Sequence, residues 1–396
     1  MKKSMDICFI ICFIMIIYFL PIKTMTTEHL PVSKLENRKL ATVPNYSSKS
    51  LLNGEYFEEW ENYLIDHFYC RDIWIRGYNL LNVSILDKVN VNNMVITEEG
   101  YLLPFVAYDR RYNLKKYSED IYEIVEKIYK LNNYIKSYGG KFYFIGIPEQ
   151  SSYLRDKYPY YCRNKSEYLD NNEITMFEEL NKKKIPNINM HEIYKVDHKE
   201  NYYFKTDHHF TLRGAYRAYI EIVQRIIADA KKEVIRPPLE EKELEFIVLP
   251  NPILGSRNRK LSYIFDTDEK LEIAYPLVEI EYEKFTNGNL DPDFYHINRD
   301  SDARPDYGVF MGGDNGETII ETKREGLPNL LIFGDSFTNA LEPLLYYHFD
   351  ETRILDLRYY SKMSLYEYIE QHRPDYIIMI RDDLNYGNLE GNGKFD

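Results

Sequence analysis

The chain has 396 residues, with 63 acidic and 50 basic side chains and a formal net charge of −13. This acidic balance excludes the basic surface typical of a nucleic-acid-binding protein, so we expect no nucleic-acid partner. The length allows one large domain or two modest ones, and four cysteines are too few for a disulfide scaffold.

The N-terminus predicts a membrane anchor. An uncharged apolar run extends from Ile7 to Ile22, with Lys2 and Lys3 before it and Lys23 after it. We predict a cytoplasmic tail over residues 1–6, a single uncleaved signal anchor in the cell membrane over residues 7–22, and an extracytoplasmic remainder. A cleaved signal peptide is the alternative, although no A-x-A cleavage site follows the run.

A connector and an N-terminal helical segment are predicted over residues 23–100. Apolar residues at helical spacing, among them Phe57, Trp60 and Leu64, predict a helix over residues 51–82. Only Cys70 and Cys162 lie outside the apolar run. The sequence leaves open whether these two form a disulfide, because their separation in space is unknown.

Residues 101–396 have the pattern of an α/β domain. Helical periodicity and buried-strand runs alternate along this part, which predicts a parallel sheet flanked by helices. The pattern over residues 237–325 predicts an insertion of short strands and loops, which we expect to form part of the wall of the functional site. The predicted helices cover residues 121–135, 174–183 and 216–228, and the predicted strands cover residues 142–147, 330–333, 354–355 and 376–380.

A serine follows one of these strands. Gly334-Asp335-Ser336 predicts a tight exit from the strand, and residues 336–345 predict the start of a helix. Free N–H groups and the helix dipole would then stabilise an oxyanion beside Ser336. The tripeptide alone is a weak signal, since small and polar residues also form ordinary turns.

The base for this serine is predicted upstream of it. His348 and His372 follow Ser336, but neither has a carboxylate two or three residues before it. In an extended segment Asp207 and His209 would project to the same side, so the carboxylate could orient the imidazole.

Other readings of this segment stay open. Asp207 could cap the following helix, and His208 is more typical of an outward residue than of a second base. The Asp-His-His run could also bind a metal, or belong to a DHH phosphoesterase. That family is cytosolic and needs further aspartate motifs, mostly upstream of its DHH; here the upstream region is a membrane segment and tyrosine-rich helices.

The chain resembles the bacterial DHHW proteins, relatives of the alginate O-acetylation proteins that have SGNH-hydrolase-like domains. The resemblance is carried by residues 202–216 (YYFKTDHHFTLRGAY), 307–314 (YGVFMGGD), 334–337 (GDSF) and 354–360 (ILDLRYY), with further similarity over residues 36–41, 66–68 and 71–72. It implies an SGNH-hydrolase-like fold without a metal or a cofactor.

The resemblance also implies roles for individual residues. Ser336 is the nucleophile, His209 the base and Asp207 its orienter, with Arg358, Phe210 and Tyr359 at the oxyanion and substrate site. Two positions depart from the family pattern. Phe210 stands where the family name has Trp, and Tyr69-Cys70 stands where Pro-Gly is expected.

These features together predict an extracytoplasmic serine O-acyltransferase that acetylates a cell-envelope polysaccharide. The resemblance implies a polytopic membrane acyltransferase of the MBOAT type as the partner that delivers the acyl group. A carbohydrate esterase or deacetylase on the same residues is the first alternative. A catalytically silent glycan-binding scaffold is the second, although a decayed site would be expected to have lost one of the three residues.

Overall fold

The computed structural model describes residues 2–33, 35–36, 38–105, 114–163, 167–230 and 235–396. The chain divides into two compact units. Unit 1 comprises Met1–Asn92 and Asn258–Asp266, and unit 2 comprises Asn93–Arg257 and Thr267–Asp396. The domain boundaries predicted from the sequence divide the chain differently and stay a prediction.

Thirteen α-helices are found in the described residues. They are α1 (Lys2–Thr26), α2 (Ser48–Asn53), α3 (Glu55–Asp66), α4 (Arg71–Leu80), α5 (Leu114–Ser137), α6 (Gln150–Tyr153), α7 (Tyr160–Arg163), α8 (Glu167–Lys182), α9 (Met190–Asp197), α10 (Leu212–Asp229), α11 (Ser256–Lys260), α12 (Glu342–Leu345) and α13 (Leu365–His372).

Fifteen strands accompany these helices in the same residues. They are β1 (Val32–Ser33), β2 (Arg38–Lys39), β3 (Asn90–Val91), β4 (Met94–Ile96), β5 (Leu102–Pro104), β6 (Lys141–Ile147), β7 (Asn187–Asn189), β8 (Leu244–Pro252), β9 (Lys270–Pro276), β10 (Glu283–Thr286), β11 (Asn289–Leu290), β12 (Glu317–Glu321), β13 (Leu330–Gly334), β14 (Glu351–Leu355) and β15 (Tyr376–Asp382).

Unit 1 is helical. Its first helix, α1, is long and apolar enough to cross a membrane by length and composition. The single helix predicted over residues 51–82 is wrong, because left-handed residues interrupt it at Gly54 (φ 90°) and Cys70 (φ 55°). Glycine adopts such a φ at no steric cost, and Cys70 stands where the resemblance expects glycine. A π-helix over Leu81–Ile85 follows α4.

Cys70 is an exposed, free thiol in the α3–α4 connection. The side chain of Cys162 lies outside the described residues. No bridge between the two is therefore supported.

Unit 2 is built on an eight-stranded sheet with the order β11-β10-β12-β14-β13-β15-β6-β7. The five strands from β14 to β7 are parallel, whereas β12 pairs antiparallel with β14 and with β10, and β10 pairs antiparallel with β11. The prediction of a parallel sheet is therefore wrong for β10, β11 and β12, and the sheet is mixed. Much of the predicted insertion builds this sheet, since β10, β11 and β12 extend it, while β8 and β9 form a separate antiparallel pair.

Alternate residues of the central strands enter two different cores. In β13, Leu331 and Phe333 pack on the side of α5, α8 and α13, while Leu330 and Ile332 pack on the side of α10 and α12. This follows from the two-residue period of a strand. The sheet is thus covered on both faces, as the continuous apolar runs of β6, β13 and β15 indicate.

Most of the predicted elements of unit 2 are present. The helices over residues 121–135, 174–183 and 216–228 correspond to α5, α8 and α10, and the four predicted strands correspond to β6, β13, β14 and β15. The helix predicted to begin at Ser336 is wrong, because turns precede α12. In these turns Thr338 N–H donates to the Asp335 carbonyl (3.0 Å) and Asn339 N–H to the Ser336 carbonyl (3.3 Å).

Candidate active site

Ser336 lies just beyond the carboxyl end of β13, in the middle of the sheet. The exit from the strand is tight: a Cβ atom on Gly334 would lie 2.3 Å from the Ile380 carbonyl oxygen of the neighbouring strand β15. The turn leaves the Ser336 side chain half-buried. No acceptor for the Ser336 N–H is found in the described part of the chain, so this group is available to a ligand, although it is not at a helix N-terminus.

Asp207 and His209 lie in the bend that precedes α10. An isolated antiparallel β-bridge between Tyr203 and Phe210 closes this bend. The Thr211 hydroxyl caps α10 by accepting a hydrogen bond from Gly214 N–H (3.4 Å). The segment is not extended as predicted. Instead the His209 N–H donates to Asp207 Oδ1 (3.0 Å) in an Asx-type turn, and this turn brings the two side chains together.

These residues form one hydrogen-bonded chain with Ser336. His209 Nδ1 lies 2.6 Å from Asp207 Oδ1, and His209 Nε2 lies 2.7 Å from Ser336 Oγ. A carboxylate accepts from Nδ1–H, so Nε2 is left with the lone pair that can take the serine proton. The arrangement has the geometry of an activated nucleophile.

The environment of Asp207 keeps it ionised. Burial opposes its ionisation, but the charge and hydrogen bond of His209, the charge of His208 and the N–H of Ser256 outweigh this effect. Together they hold the pKa of Asp207 well below its usual range. A permanent carboxylate here orients the imidazole and stabilises the imidazolium that forms when the serine gives up its proton.

Aromatic rings enclose the imidazole of His209. Tyr307 stacks on it with ring centroids 3.8 Å apart and an interplanar angle of 4°, and Phe337 lies at 5.3 Å. Tyr307 belongs to the YGVFMGGD segment, but no pattern in the sequence places its ring on the base. The stacked ring restricts rotation of His209 and screens it from water.

Phe210 lies in the core rather than at the surface. It is fully buried and packs edge-on against Phe337 at 5.0 Å. In this position it supports the turn that carries Ser336, and its predicted place at the substrate site stays a prediction.

Arg358 and Tyr359 follow β14, the parallel neighbour of β13. The Arg358 side chain is 37% exposed and is paired with Asp356 and Asp314, its NH2 group lying 2.9 Å from Asp314 Oδ2. Asp314 Oδ1 in turn accepts from the Asn339 side chain (3.2 Å), three residues after Ser336. Tyr359 is exposed, with its ring 5.4 Å from the Arg358 guanidinium carbon. Hydrogen bonds thus link Arg358 to the serine turn.

The segment Gly255-Ser256-Arg257 supports the catalytic bend, and sequence reasoning missed it. Ser256 N–H donates to Asp207 Oδ2 (2.7 Å), and the Ser256 hydroxyl lies 2.6 Å from Nδ1 of His208. Arg257 is buried and forms an ion pair with Glu149. Only the long-range fold brings these residues to Asp207, so no local pattern could have identified them.

A metal at the Asp-His-His run is disfavoured by the bonds already made. The ligand atoms of Asp207, His208 and His209 lie within 4.8 Å of one another. However, both ring nitrogens of His209 and both oxygens of Asp207 are engaged in the contacts described above. A metal would have to break the Asp207–His209–Ser336 chain.

Comparisons with solved structures show the same fold in PatB1 and in a DHHW family protein, and a weaker similarity to a third protein. Bacillus cereus PatB1, in a structure with a sulfonyl adduct, has 22% identity and a TM-score of 0.64 over 78% of this chain and 99% of that chain. A DHHW family protein from Eubacterium siraeum DSM 15702 has 17% identity and a TM-score of 0.55 over 76% and 94%. The O-acetyltransferase domain of Pseudomonas putida AlgJ has 10% identity and a TM-score of 0.46 over 75% and 92%.

No curated protein sequence matches the chain significantly. The family profile described as DHHW protein matches residues 79–355, which is more than half of the chain and includes Asp207, His209 and Ser336. The resemblance stated from the motifs is therefore confirmed, and the chain belongs to the DHHW family.

Proposed function

We propose that the protein is a serine-dependent O-acyltransferase that transfers acyl groups, most readily acetyl, onto a cell-envelope polysaccharide. The observation that carries the proposal is the position of His209, whose two ring nitrogens lie 2.6 Å from Asp207 and 2.7 Å from Ser336. The family membership and the resemblance to alginate O-acetylation proteins support transfer to a sugar.

In the first half-reaction Ser336 Oγ attacks the acyl carbon of an ester or thioester donor. The Oγ–H proton passes to His209 Nε2, the new Oγ–C bond forms, and the bond to the leaving group breaks. The leaving group takes the proton from Nε2 as it departs. Asp207 remains ionised throughout and stabilises the transient imidazolium.

The second half-reaction reverses these roles. A sugar hydroxyl gives its proton to His209 Nε2 and attacks the acyl carbon, and Ser336 departs with that proton. Water in place of the sugar gives hydrolysis, so an esterase would use the same residues. In both steps the unpaired Ser336 N–H is proposed to donate to the oxyanion.

Arg358 is proposed to assist at the oxyanion or the sugar, with Phe210 and Tyr359 in the wall of the site. Asp356 and Asp314 already pair with the guanidinium. Arg358 therefore fits a neutral sugar better than a charged ligand, because both carboxylates balance its charge. The exposed ring of Tyr359 offers a face on which a sugar could stack.

The location and the partner are proposed with the function. A membrane-spanning α1 would hold the catalytic unit outside the cell, close to envelope polysaccharide. A polytopic acyltransferase of the MBOAT type, which the family resemblance implies, is proposed to supply the acyl group.

A sulfonyl fluoride tests the nucleophile directly, and PatB1 was solved with an adduct of this chemical type. The full chain in detergent is treated with the reagent, and the adduct is located by peptide mass spectrometry. We expect one adduct, on Ser336, that is absent in Ser336→Ala and slower to form in His209→Ala and Asp207→Asn. Folded protein that carries no adduct on Ser336 would contradict the proposed nucleophile.

Transfer and hydrolysis are separated with an aryl acetate as donor and envelope oligosaccharides as acceptors. Acetylated oligosaccharide, detected by mass spectrometry and lost in Ser336→Ala, indicates transfer. Free acetate that does not change when acceptor is added indicates an esterase. Saccharide binding that is indifferent to Ser336→Ala, with neither product, indicates the silent scaffold.

A further inference from the structure

Unit 1 carries an exposed apolar surface on α3, α4 and the connection between them. Apolar side chains on the surface of soluble proteins are normally scattered, and large contiguous patches mark interaction sites. The side chains that define this apolar surface are Phe57 (63% exposed), Leu64 (42%), Ile65 (54%), Phe68 (38%) and Trp74 (56%).

A groove runs between the two helices within this apolar surface. It has a volume of about 650 Å³ and is lined mainly by aromatic and aliphatic side chains, including Trp60 and Ile75, together with Glu61 and Arg71. The opposite side of α3 is acidic, with exposed Glu55, Glu58 and Glu59. A helix with one apolar and one strongly charged face is typical of elements that lie in a membrane interface.

The connection between α3 and α4 contacts the C-terminal part of α1. The Tyr69 ring packs edge-on against Phe19 at 6.0 Å, and Tyr69 N–H donates to Thr24 Oγ1 (3.0 Å). At a rise of 1.5 Å per residue, Phe19 and Thr24 lie about 10 Å and about 3 Å along the axis of α1 from its end at Thr26. The α3–α4 connection, which contributes Phe68 to the apolar surface, is therefore level with the last turns of the apolar helix.

From this position we infer that the apolar surface rests on the lipid of the outer leaflet. If α1 spans the membrane, its last turns lie among the lipid headgroups, and the neighbouring side chains of α3 and α4 lie at the same depth. Tryptophan and tyrosine prefer this layer, since their rings are apolar and their polar groups reach water. The inference rests on the membrane anchoring that is part of the proposed function.

The chain carries its own reporters for this inference, because its two tryptophans, Trp60 and Trp74, both belong to the apolar surface and its groove. The full chain is reconstituted into phosphatidylcholine vesicles that contain lipid brominated either near the headgroup or near the tail end. We expect the shallow bromines to remove most of the tryptophan fluorescence and the deep bromines to remove little of it. Trp60→Phe and Trp74→Phe assign the signal to each residue.

Two further variants test whether the apolar surface itself makes the contact. Phe57→Glu combined with Ile65→Glu places charges on exposed positions, so folding is retained, and quenching by the shallow bromines should fall with a red shift of the emission. Glu58→Gln, on the acidic face of α3, is the matched control and should leave quenching unchanged.

The outcomes separate this inference from the proposed anchor. Protein that washes off the vesicles at alkaline pH overturns the anchor and the inference together. Protein that is retained, with tryptophans that neither bromine quenches, overturns the inference alone. Unquenched tryptophans whose emission shifts to the blue as the protein density in the vesicles rises would instead assign the apolar surface to a second copy of the chain. None of these vesicle measurements depends on Ser336, so acyl transfer is tested independently of them.

Discussion

Glu342 is a buried carboxyl beneath the turn that carries Ser336. It is 2% exposed, and the Thr338 hydroxyl donates to its Oε1 at 2.6 Å. Burial raises the pKa of Glu342 to about 7. At neutral pH the Glu342 carboxyl is therefore present in both its protonated and its ionised forms.

We expect Glu342→Gln to remove a pH dependence of stability. The pKa of Glu342 in the folded protein is raised above the usual 4.5. The contribution of the protonated carboxyl to the free energy of unfolding is therefore complete below pH 4.5 and is lost as the pH rises through about 7. By pH 8 the free energy of unfolding of the natural chain should have fallen by about 3 kcal/mol more than that of the variant. Urea unfolding of unit 2, followed by circular dichroism between pH 4.5 and 8, measures this difference.

The exposed Glu325 provides the matched control for this experiment. Glu325→Gln should leave the pH dependence of unfolding as it is in the natural chain. A difference between Glu342→Gln and the natural chain that does not change with pH would contradict the assignment.

At the residue scale, the sequence could identify side chains whose chemistry is carried by local motifs. Ser336, His209 and Asp207 were each visible as parts of short segments, and the structure brings the three together. The residues that hold Asp207 and His209 in place, Ser256 and Tyr307, were not visible. Their contacts join positions tens of residues apart, and neither residue type is distinctive on its own.

At the scale of elements, the segment after β8 packs against the bend that carries Asp207. A Cβ atom on Gly255 would lie 2.1 Å from the Thr206 carbonyl oxygen. Backbone atoms cannot move aside at low cost, so any larger residue must push the two segments apart. Separation would weaken the hydrogen bonds from Arg257 N–H to the Thr206 carbonyl (3.1 Å) and from Ser256 N–H to Asp207.

We expect Gly255→Ala to destabilise the protein and to slow the labelling of Ser336. A hydrogen bond to a charged group is worth about 1.5–3 kcal/mol, so the free energy of unfolding should fall by at least this amount. The rate of sulfonylation should fall as well, because Asp207 loses a fixed donor. Both are compared with Gly326→Ala, whose Cβ would meet no atom within 4 Å. A folded Gly255→Ala protein with an unchanged labelling rate would show that this packing does not position Asp207.

The elements themselves were predictable to different degrees. Long periodic helices such as α5 and α10, and apolar strands such as β13, stand out because their burial pattern is continuous. The helix expected at Ser336 failed because the backbone after Gly334 is fixed by turns on Asp335, including the bond from Thr338 N–H to the Asp335 carbonyl. The antiparallel strands β10 to β12 are short, and only their pairing with β14 reveals that they belong to the main sheet.

At the scale of the whole molecule, the two units differ in how much apolar surface they bury. Among the described residues of unit 1, the buried hydrophobic side chains are Tyr63, Val91 and Leu261. Unit 2 instead contains the two extensive apolar clusters on either side of the sheet. Burial of apolar surface is the main stabilising contribution to folding, so unit 1 depends far more on what covers its surface.

This contrast predicts that the units unfold separately. Both tryptophans, Trp60 and Trp74, belong to unit 1, whereas the eight-stranded sheet belongs to unit 2. In urea titrations of the full chain in mild detergent, tryptophan emission should therefore change at lower denaturant than the strand signal in circular dichroism. Lipid vesicles should raise the midpoint of the tryptophan transition and leave the strand transition in place, because bound lipid stabilises only the unit it covers. Coincident transitions in both media would show instead that the two units fold as one cooperative body.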